Sequence, residues 1–141
     1  MQKISLLFTI SALLLFVFVF LSFRNPAPQQ GFDLKASIAR GKEVYVTYCL
    51  SCHMEDGKGI ENTYPPLAKA DYLMADKNRA IRQALKGATG EMKVNWKTYN
   101  TEMTGFDLND EQASDVVNYI RNSWGNKGGV VTPADVKAQR K

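Results

Sequence analysis

The pattern of apolar and polar positions divides the chain into an apolar run near its start and a longer part with helical periodicity. Residues 4–23 contain no charged side chain, only aliphatic, aromatic and small residues. These twenty residues, at about 1.5 Å each, would form about 30 Å of helix, the thickness of the hydrocarbon core of a bilayer. The run therefore predicts one N-terminal transmembrane helix within residues 1–24.

A cleaved secretory signal is the other interpretation of this run. The apolar region of such a signal is usually about 7–15 residues long and ends at a cleavage site with small residues. Residues 21–26 offer no site of that kind, so the uncleaved anchor is favoured. Both interpretations export the rest of the chain, which begins with a proline-containing linker at residues 25–32.

Apolar residues recur at three- and four-residue spacing in the first half of the soluble part. The first predicted helix starts at an Asp33 N-cap and runs to about residue 48. A second helix covers residues 77–86, with Asp76 as its cap. A short helical piece over residues 68–74 is compatible with the pattern.

The last periodic stretch is the best defined. It begins at an Asn109 N-cap, with Gln112 at the capping-box position and apolar residues on one face. Between the helices, residues 88–107 follow neither the helical nor the strand period, and nothing predicts paired strands. The predicted fold class is therefore all-α.

The length of the connecting loops indicates a buried cofactor. A chain of 141 residues allows one domain of ordinary size, which we assign to residues 33–126, followed by a basic C-terminal tail at residues 127–141. The two long loops, at residues 54–67 and 88–107, count against a compact domain unless something else organises them. A large cofactor would do so, because the loops could pack around it.

Residues 49–53 form a C-x-x-C-H motif, the attachment site for c-type haem. Two thiols one helical turn apart can bond to the same edge of a porphyrin, and the adjacent histidine can ligate the iron. A zinc site would need two further ligands, whereas the chain has no other Cys or His. A thioredoxin-like redox pair would follow a strand of a βαβ unit, and none is visible. The motif thus predicts one covalently attached haem (heme c).

The soluble part resembles the class I cytochromes c in the order of its motifs. A small residue and an aromatic precede C-x-x-C-H, two glycines and a Pro-Leu pair follow it, and the last helix carries an aromatic that packs across the first. The matching residues are Gly41, Tyr45, Gly57, Gly59, Pro65, Pro66, Leu67 and Tyr119. The resemblance implies a cytochrome c fold around the haem, with Cys49 and Cys52 as attachment points and His53 as an axial ligand. It also implies that the Pro65 carbonyl orients the His53 imidazole.

The second axial ligand has two candidates from the residues alone. A second histidine is excluded because His53 is the only one, and Met92 and Met103 both lie in the irregular region before the last helix. The resemblance favours Met103, because the family's ligand lies in a stretch that residues 99–108 match. One departure is Thr104, where a proline is common in the family.

Ligation by His53 and Met103 predicts an electron carrier rather than an enzyme, because it leaves no vacant iron position for a substrate. The expected location is the outer, periplasmic face of the cytoplasmic membrane, where haem is attached in bacteria. The partners would be redox proteins, either met by a shuttle or joined as a subunit of a membrane oxidoreductase complex, with no nucleic acid involved. The alternative function is a haem peroxidase or gas sensor with an open distal site.

Charge adds one expectation about those partners. The net charge is +4, and residues 69–97 carry seven basic and three acidic side chains. An acidic partner would associate faster with such a segment, so residues 69–97 are a candidate docking surface.

Overall fold

The computed structural model describes residues 31–141, and in this part of the chain it has six helices and four short strands. Residues 32–141 form one compact unit. In chain order the elements are α1 (Leu34–Tyr48), α2 (Leu50–His53), α3 (Asp71–Ala75), α4 (Lys77–Lys86), β1 (Gly87–Ala88), β2 (Met92–Val94), β3 (Lys97–Tyr99), β4 (Met103–Thr104), α5 (Asp110–Asn122) and α6 (Pro133–Gln139).

The three long helices begin at the caps that the sequence predicts. The Asp33 carboxylate accepts the Ala36 N–H at the start of α1, and Asp76 caps α4 in the same way. Asn109 and Gln112 form a reciprocal capping box at the start of α5. Each cap satisfies backbone donors that a helix start leaves free, so the positions of these helices are fixed locally.

Helices α1 and α5 cross in close contact, and Gly41 makes the contact possible. A Cβ atom at Gly41 would lie 1.9 Å from the Asp115 carbonyl oxygen and 2.9 Å from the Tyr119 Cβ. Asp115 is buried at this crossing, where Ser37 and Arg40 of α1 donate hydrogen bonds to its carboxylate. The crossing joins the start and the end of the domain into one core.

The prediction of an all-α fold is wrong in one region. Strands β1 and β4 pair antiparallel, as do β2 and β3. These strands are two or three residues long, so their pairing is set by contacts between distant residues, such as Gly87 with Thr104, rather than by a local period.

The predicted transmembrane helix also requires correction. No helix among residues 31–141 is long and apolar enough to cross a membrane. The run at residues 4–23, on which that prediction was based, lies outside the described residues. The fold that the structure supports is therefore that of residues 31–141.

The segment predicted as a basic tail contains an ordered helix. Thr132 caps α6 through a capping box with Asp135, and Pro133 occupies its first turn. Val131 and Val136 are both fully buried in the common core. The domain thus extends beyond residue 126 and includes α6.

Candidate functional site

The C-x-x-C-H motif lies at the junction of α1 and α2. Cys49 separates the two helices, and the His53 N–H donates to its carbonyl oxygen at 2.9 Å. Helical geometry places residues three apart on one face, so Cys49 and Cys52 are neighbours. Burial raises the pKa of the Cys49 thiol to about 12.

The His53 imidazole is held from one side by a backbone carbonyl. Its Nδ1 lies 3.0 Å from the Pro65 carbonyl oxygen, the partner that the sequence suggested, and the side chain is buried. Burial lowers the pKa of His53, and the hydrogen bond to Pro65 opposes part of this shift. Nδ1 donates to the carbonyl when the imidazole is neutral, which leaves Nε2 as the nitrogen with a free lone pair.

Gly59 is what allows the Pro65 carbonyl to reach His53. Its φ is +66°, and a Cβ there would lie 2.3 Å from the Tyr64 carbonyl oxygen and 2.6 Å from that of Pro65. The Gly59 N–H also donates to the His53 carbonyl oxygen at 3.0 Å. The loop therefore folds back on the histidine at a glycine, and the sequence alone did not give Gly59 this role.

A cavity of about 380 Å³ opens beside this histidine. That volume lies within the range of about 300–1,000 Å³ that is typical of cofactor and ligand sites. Its walls come from the motif, from the loop after it, and from α3, α4, α5 and the strands. The residues that line the cavity include Tyr48, Cys49, Cys52, His53, Pro65, Tyr72, Leu73, Met92, Met103, Phe106, Leu108, Val116 and Ile120.

Both candidate methionines lie on the wall of this cavity. Met103 belongs to β4, where its register partner is Ala88, and Met92 belongs to β2, opposite Tyr99. The structure therefore brings Cys49, Cys52, His53 and Pro65 together with two thioethers. The choice between Met103 and Met92 stays a prediction.

An aromatic pair borders the cavity beside the motif. The rings of Tyr48 and Phe106 lie with centroids 5.3 Å apart, and both residues line the cavity. Tyr48 directly precedes Cys49, a position that could have singled it out in the sequence. Phe106 belongs to the stretch at residues 99–108 that matches the family's ligand motif, but its approach to Tyr48 depends on the fold of the distant loop.

The residues around the cavity fit a covalently bound haem. Cys49 and Cys52 lie on one helical face and could form the two thioether bonds to a porphyrin. The buried imidazole of His53, held at Nδ1, and a methionine of the cavity wall could ligate the iron. The surrounding wall is largely aliphatic and aromatic, as a porphyrin requires.

Comparison with known proteins agrees with this chemistry. The family model for cytochrome c matches residues 38–124. Cytochrome c-552 of Thermus thermophilus is 36% identical over 92 residues, which are 62% of this chain and 70% of that protein. The cytochrome c subunit of the quinone alcohol dehydrogenase of Gluconacetobacter polyoxogenes is 36% identical over 103 residues, 71% of this chain and 22% of that subunit.

A second dehydrogenase subunit shows the same relation. The gluconate 2-dehydrogenase cytochrome c subunit of Pantoea cypripedii is 37% identical over 105 residues, which are 72% of this chain and 24% of that subunit. The chain spans less than a quarter of the length of these two dehydrogenase subunits.

Proposed function

Because this chain belongs to the cytochrome c family, we propose that it transfers single electrons through a haem ligated by His53 and Met103. Covalently bound haem c and a role in electron transport follow from the family. The finer proposal concerns the two axial ligands, the cellular location and the way the protein meets its partners.

The observation that carries the proposal is the hydrogen bond between His53 Nδ1 and the Pro65 carbonyl oxygen, at 3.0 Å, on the wall of the cavity. It fixes the ring orientation and tautomer, and so keeps Nε2 free to ligate iron. Cys49 and Cys52 would hold the same group through thioether bonds. Met103 supports the second ligand position because it lies on the cavity wall and within the ligand motif at residues 99–108.

This arrangement favours electron transfer over substrate chemistry. A haem held by His53 and Met103 would supply one-electron redox chemistry, at a potential raised by the methionine thioether. The largely aliphatic and aromatic side chains of the cavity wall would exclude water from such a group. His53 is the only histidine of the chain, and no arginine lines the cavity, so the described walls lack the usual distal acid–base groups of a peroxidase.

We further propose that the protein acts at the outer face of the cytoplasmic membrane, without being an enzyme itself. Haem attachment to C-x-x-C-H on that side supports the location. The dehydrogenase cytochrome subunits support a redox protein complex as the partner. A free shuttle between such complexes is the other form of the same function, for which cytochrome c-552 is a parallel in size.

Two matched methionine variants test the ligation. Met103→Ala should retain covalent haem while losing the ferric sulfur-to-iron absorption band, lowering the reduction potential and admitting cyanide or CO. Met92→Ala also removes a methionine thioether from the wall of this cavity. It should leave the absorption band and the reduction potential near those of the parent protein. Absorption spectra of the oxidised holoproteins and redox titration provide both measurements.

The reverse pattern, with the band lost in Met92→Ala alone, would identify Met92 as the ligand. A parent protein that binds CO or cyanide readily, before any substitution, would instead support the open distal site of a sensor or peroxidase.

A further inference from the structure

Two arginines support the wall of the cavity from behind. Helix α3 has only five residues, and its last carbonyl groups have no partner within the helix. Arg121 of α5 donates from Nη1 to the Leu73 carbonyl oxygen at 2.6 Å, and Arg79 of α4 donates from Nη2 to the Tyr72 carbonyl oxygen. Tyr72 and Leu73 both line the cavity, so each guanidinium bonds directly to the backbone of the cavity wall.

Arg121 is buried to a degree that is unusual for a charged residue. It is 6% exposed, and its Nε has no hydrogen-bond partner among residues 31–141. The turn at Gly128 closes over it: a Cβ at Gly128 would lie 2.8 Å from the Arg121 Cβ and 3.1 Å from its Nε. The charge of Arg121 is therefore poorly screened by solvent.

These two arginines also differ from the others in their charge environment. Among the described residues, Arg40, Arg82 and Arg140 each lie within 4.0 Å of a carboxylate, whereas Arg79 and Arg121 do not. Asp76 acts on Arg121 only through space, and burial, which lowers the pKa of Arg121, outweighs that influence. The guanidinium remains charged, because arginine is not deprotonated in proteins.

We propose that Arg121, assisted by Arg79, raises the reduction potential by placing positive charge that is not directly paired with a carboxylate behind the cavity wall at Leu73. This inference rests on the proposed function, since it requires a one-electron haem couple. When the oxidised protein accepts one electron from a donor, the net charge of the site falls by one, with no bond made or broken. A fixed positive charge nearby favours that reduced form, so the pair raises the potential.

Arg140 provides a matched control for Arg121. Its Nη2 donates at 2.5 Å to the carbonyl oxygen of Leu108, which also lines the cavity. In contrast to Arg121, it is exposed, and its Nε lies 2.6 Å from the Asp110 carboxylate. The two residues thus make the same kind of bond to the cavity wall and differ in burial and in charge compensation.

Redox titration of the holoprotein with soluble mediators tests the proposal. Arg121→Gln keeps a polar amide at this position but removes the charge, so the equilibrium constant for reduction should fall about tenfold, or about 59 mV for one electron. Arg121→Lys retains the charge and should stay near the parent potential. Arg140→Gln should also stay near it, because its charge is exposed and paired.

An unchanged potential in Arg121→Gln would overturn the proposal. An equal fall in Arg121→Lys and Arg121→Gln would overturn it too, because the cause would then be the geometry of the wall and not its charge. If Arg121→Gln yields no folded holoprotein, Arg79→Gln and Arg79→Lys give the same comparison at the neighbouring carbonyl group of α3. Only the Gln variant should lower the potential, and two equal potentials would count against the proposal. Failure of the proposed function is distinct, since the parent protein would then show no reversible one-electron couple.

Discussion

Gly59 and the Pro65 carbonyl act as a unit, because the loop can approach His53 only where no side chain intervenes. The C-x-x-C-H motif was accessible from sequence because its spacing has a chemical reason, and Pro65 was a candidate through the resemblance to the class I cytochromes c. The reason why residue 59 must be glycine was not accessible from sequence. It depends on the close approach of two loop segments, which no local sequence pattern predicts. Its φ of +66°, and the 2.6 Å that would separate a Cβ at this position from the Pro65 carbonyl oxygen, become visible only in the fold.

Replacing Gly59 with alanine should destabilise the domain in two ways. The left-handed backbone costs about 1–2 kcal/mol for a residue with a Cβ, and the collision with Tyr64 and Pro65 should add about 1–3 kcal/mol. Gly90→Ala is the matched control, since its φ is +80° but nothing lies within 4 Å of its Cβ position. The free energy of unfolding in guanidinium chloride should therefore fall further for Gly59→Ala, and equal losses would contradict the role of close approach.

At the scale of elements, local signals were predictable and non-local ones were not. The caps Asp33, Asp76 and Asn109 give correct helix starts because each bonds to backbone groups within three residues. The strands were missed because two or three residues cannot establish a period, and their partners lie elsewhere in the chain. Helix α6 had a signal that was overlooked, namely a threonine cap followed by proline at the first helical position and by Asp135.

Helix α6 is attached to α5 through Asn118. The Asn118 side chain accepts the Val131 N–H at 2.8 Å and donates to the Val131 carbonyl oxygen at 2.7 Å.

Lys77 of α4 forms an ion pair with Asp135 at 2.9 Å, and Arg82 donates to Gln139 at 2.7 Å. Two basic residues of the candidate docking surface at residues 69–97 are therefore partly engaged within the molecule.

Val136→Ala should measure the contribution of α6 to the fold. Val136 is fully buried, so its truncation removes two buried methyl groups and leaves a small cavity, at a cost of about 1.5–3 kcal/mol. Val130→Ala is the control in the same segment, because Val130 is 39% exposed and its truncation should change stability by less than about 0.5 kcal/mol. Thermal or denaturant unfolding of the two holoproteins measures the difference. Similar stabilities would mean that α6 is dispensable for the core.

For the whole molecule, the cavity takes the place of a conventional interior. Apolar side chains from α3, α4, α5 and the loops face this space as well as one another, including Leu73, Val116 and Ile120. Without its occupant, these side chains would line a space of about 380 Å³, and their packing would be incomplete. Haem binding and folding should therefore be coupled, as metal binding is in many small domains.

Substitutions in the attachment motif should consequently affect folding as well as cofactor content. His53→Ala should yield little stable holoprotein, and Cys49→Ser or Cys52→Ser should leave at most one thioether bond. Ser51→Ala, between the two cysteines, should retain haem and fold normally. Haem staining after denaturing electrophoresis and far-ultraviolet circular dichroism report the two properties. A well-folded apoprotein with the helix content of the holoprotein would show that the haem does not organise the fold.

The crossing of α1 and α5 affects the order of events during folding. Ser37 and Asp115, which meet there at 2.6 Å, are 78 positions apart, so the crossing can close only when most of the domain is available to fold. The cysteines at residues 49 and 52 precede α5 in the chain by more than fifty residues. If haem is attached before the crossing forms, we expect the packing of α5 to enclose a cofactor that is already bound.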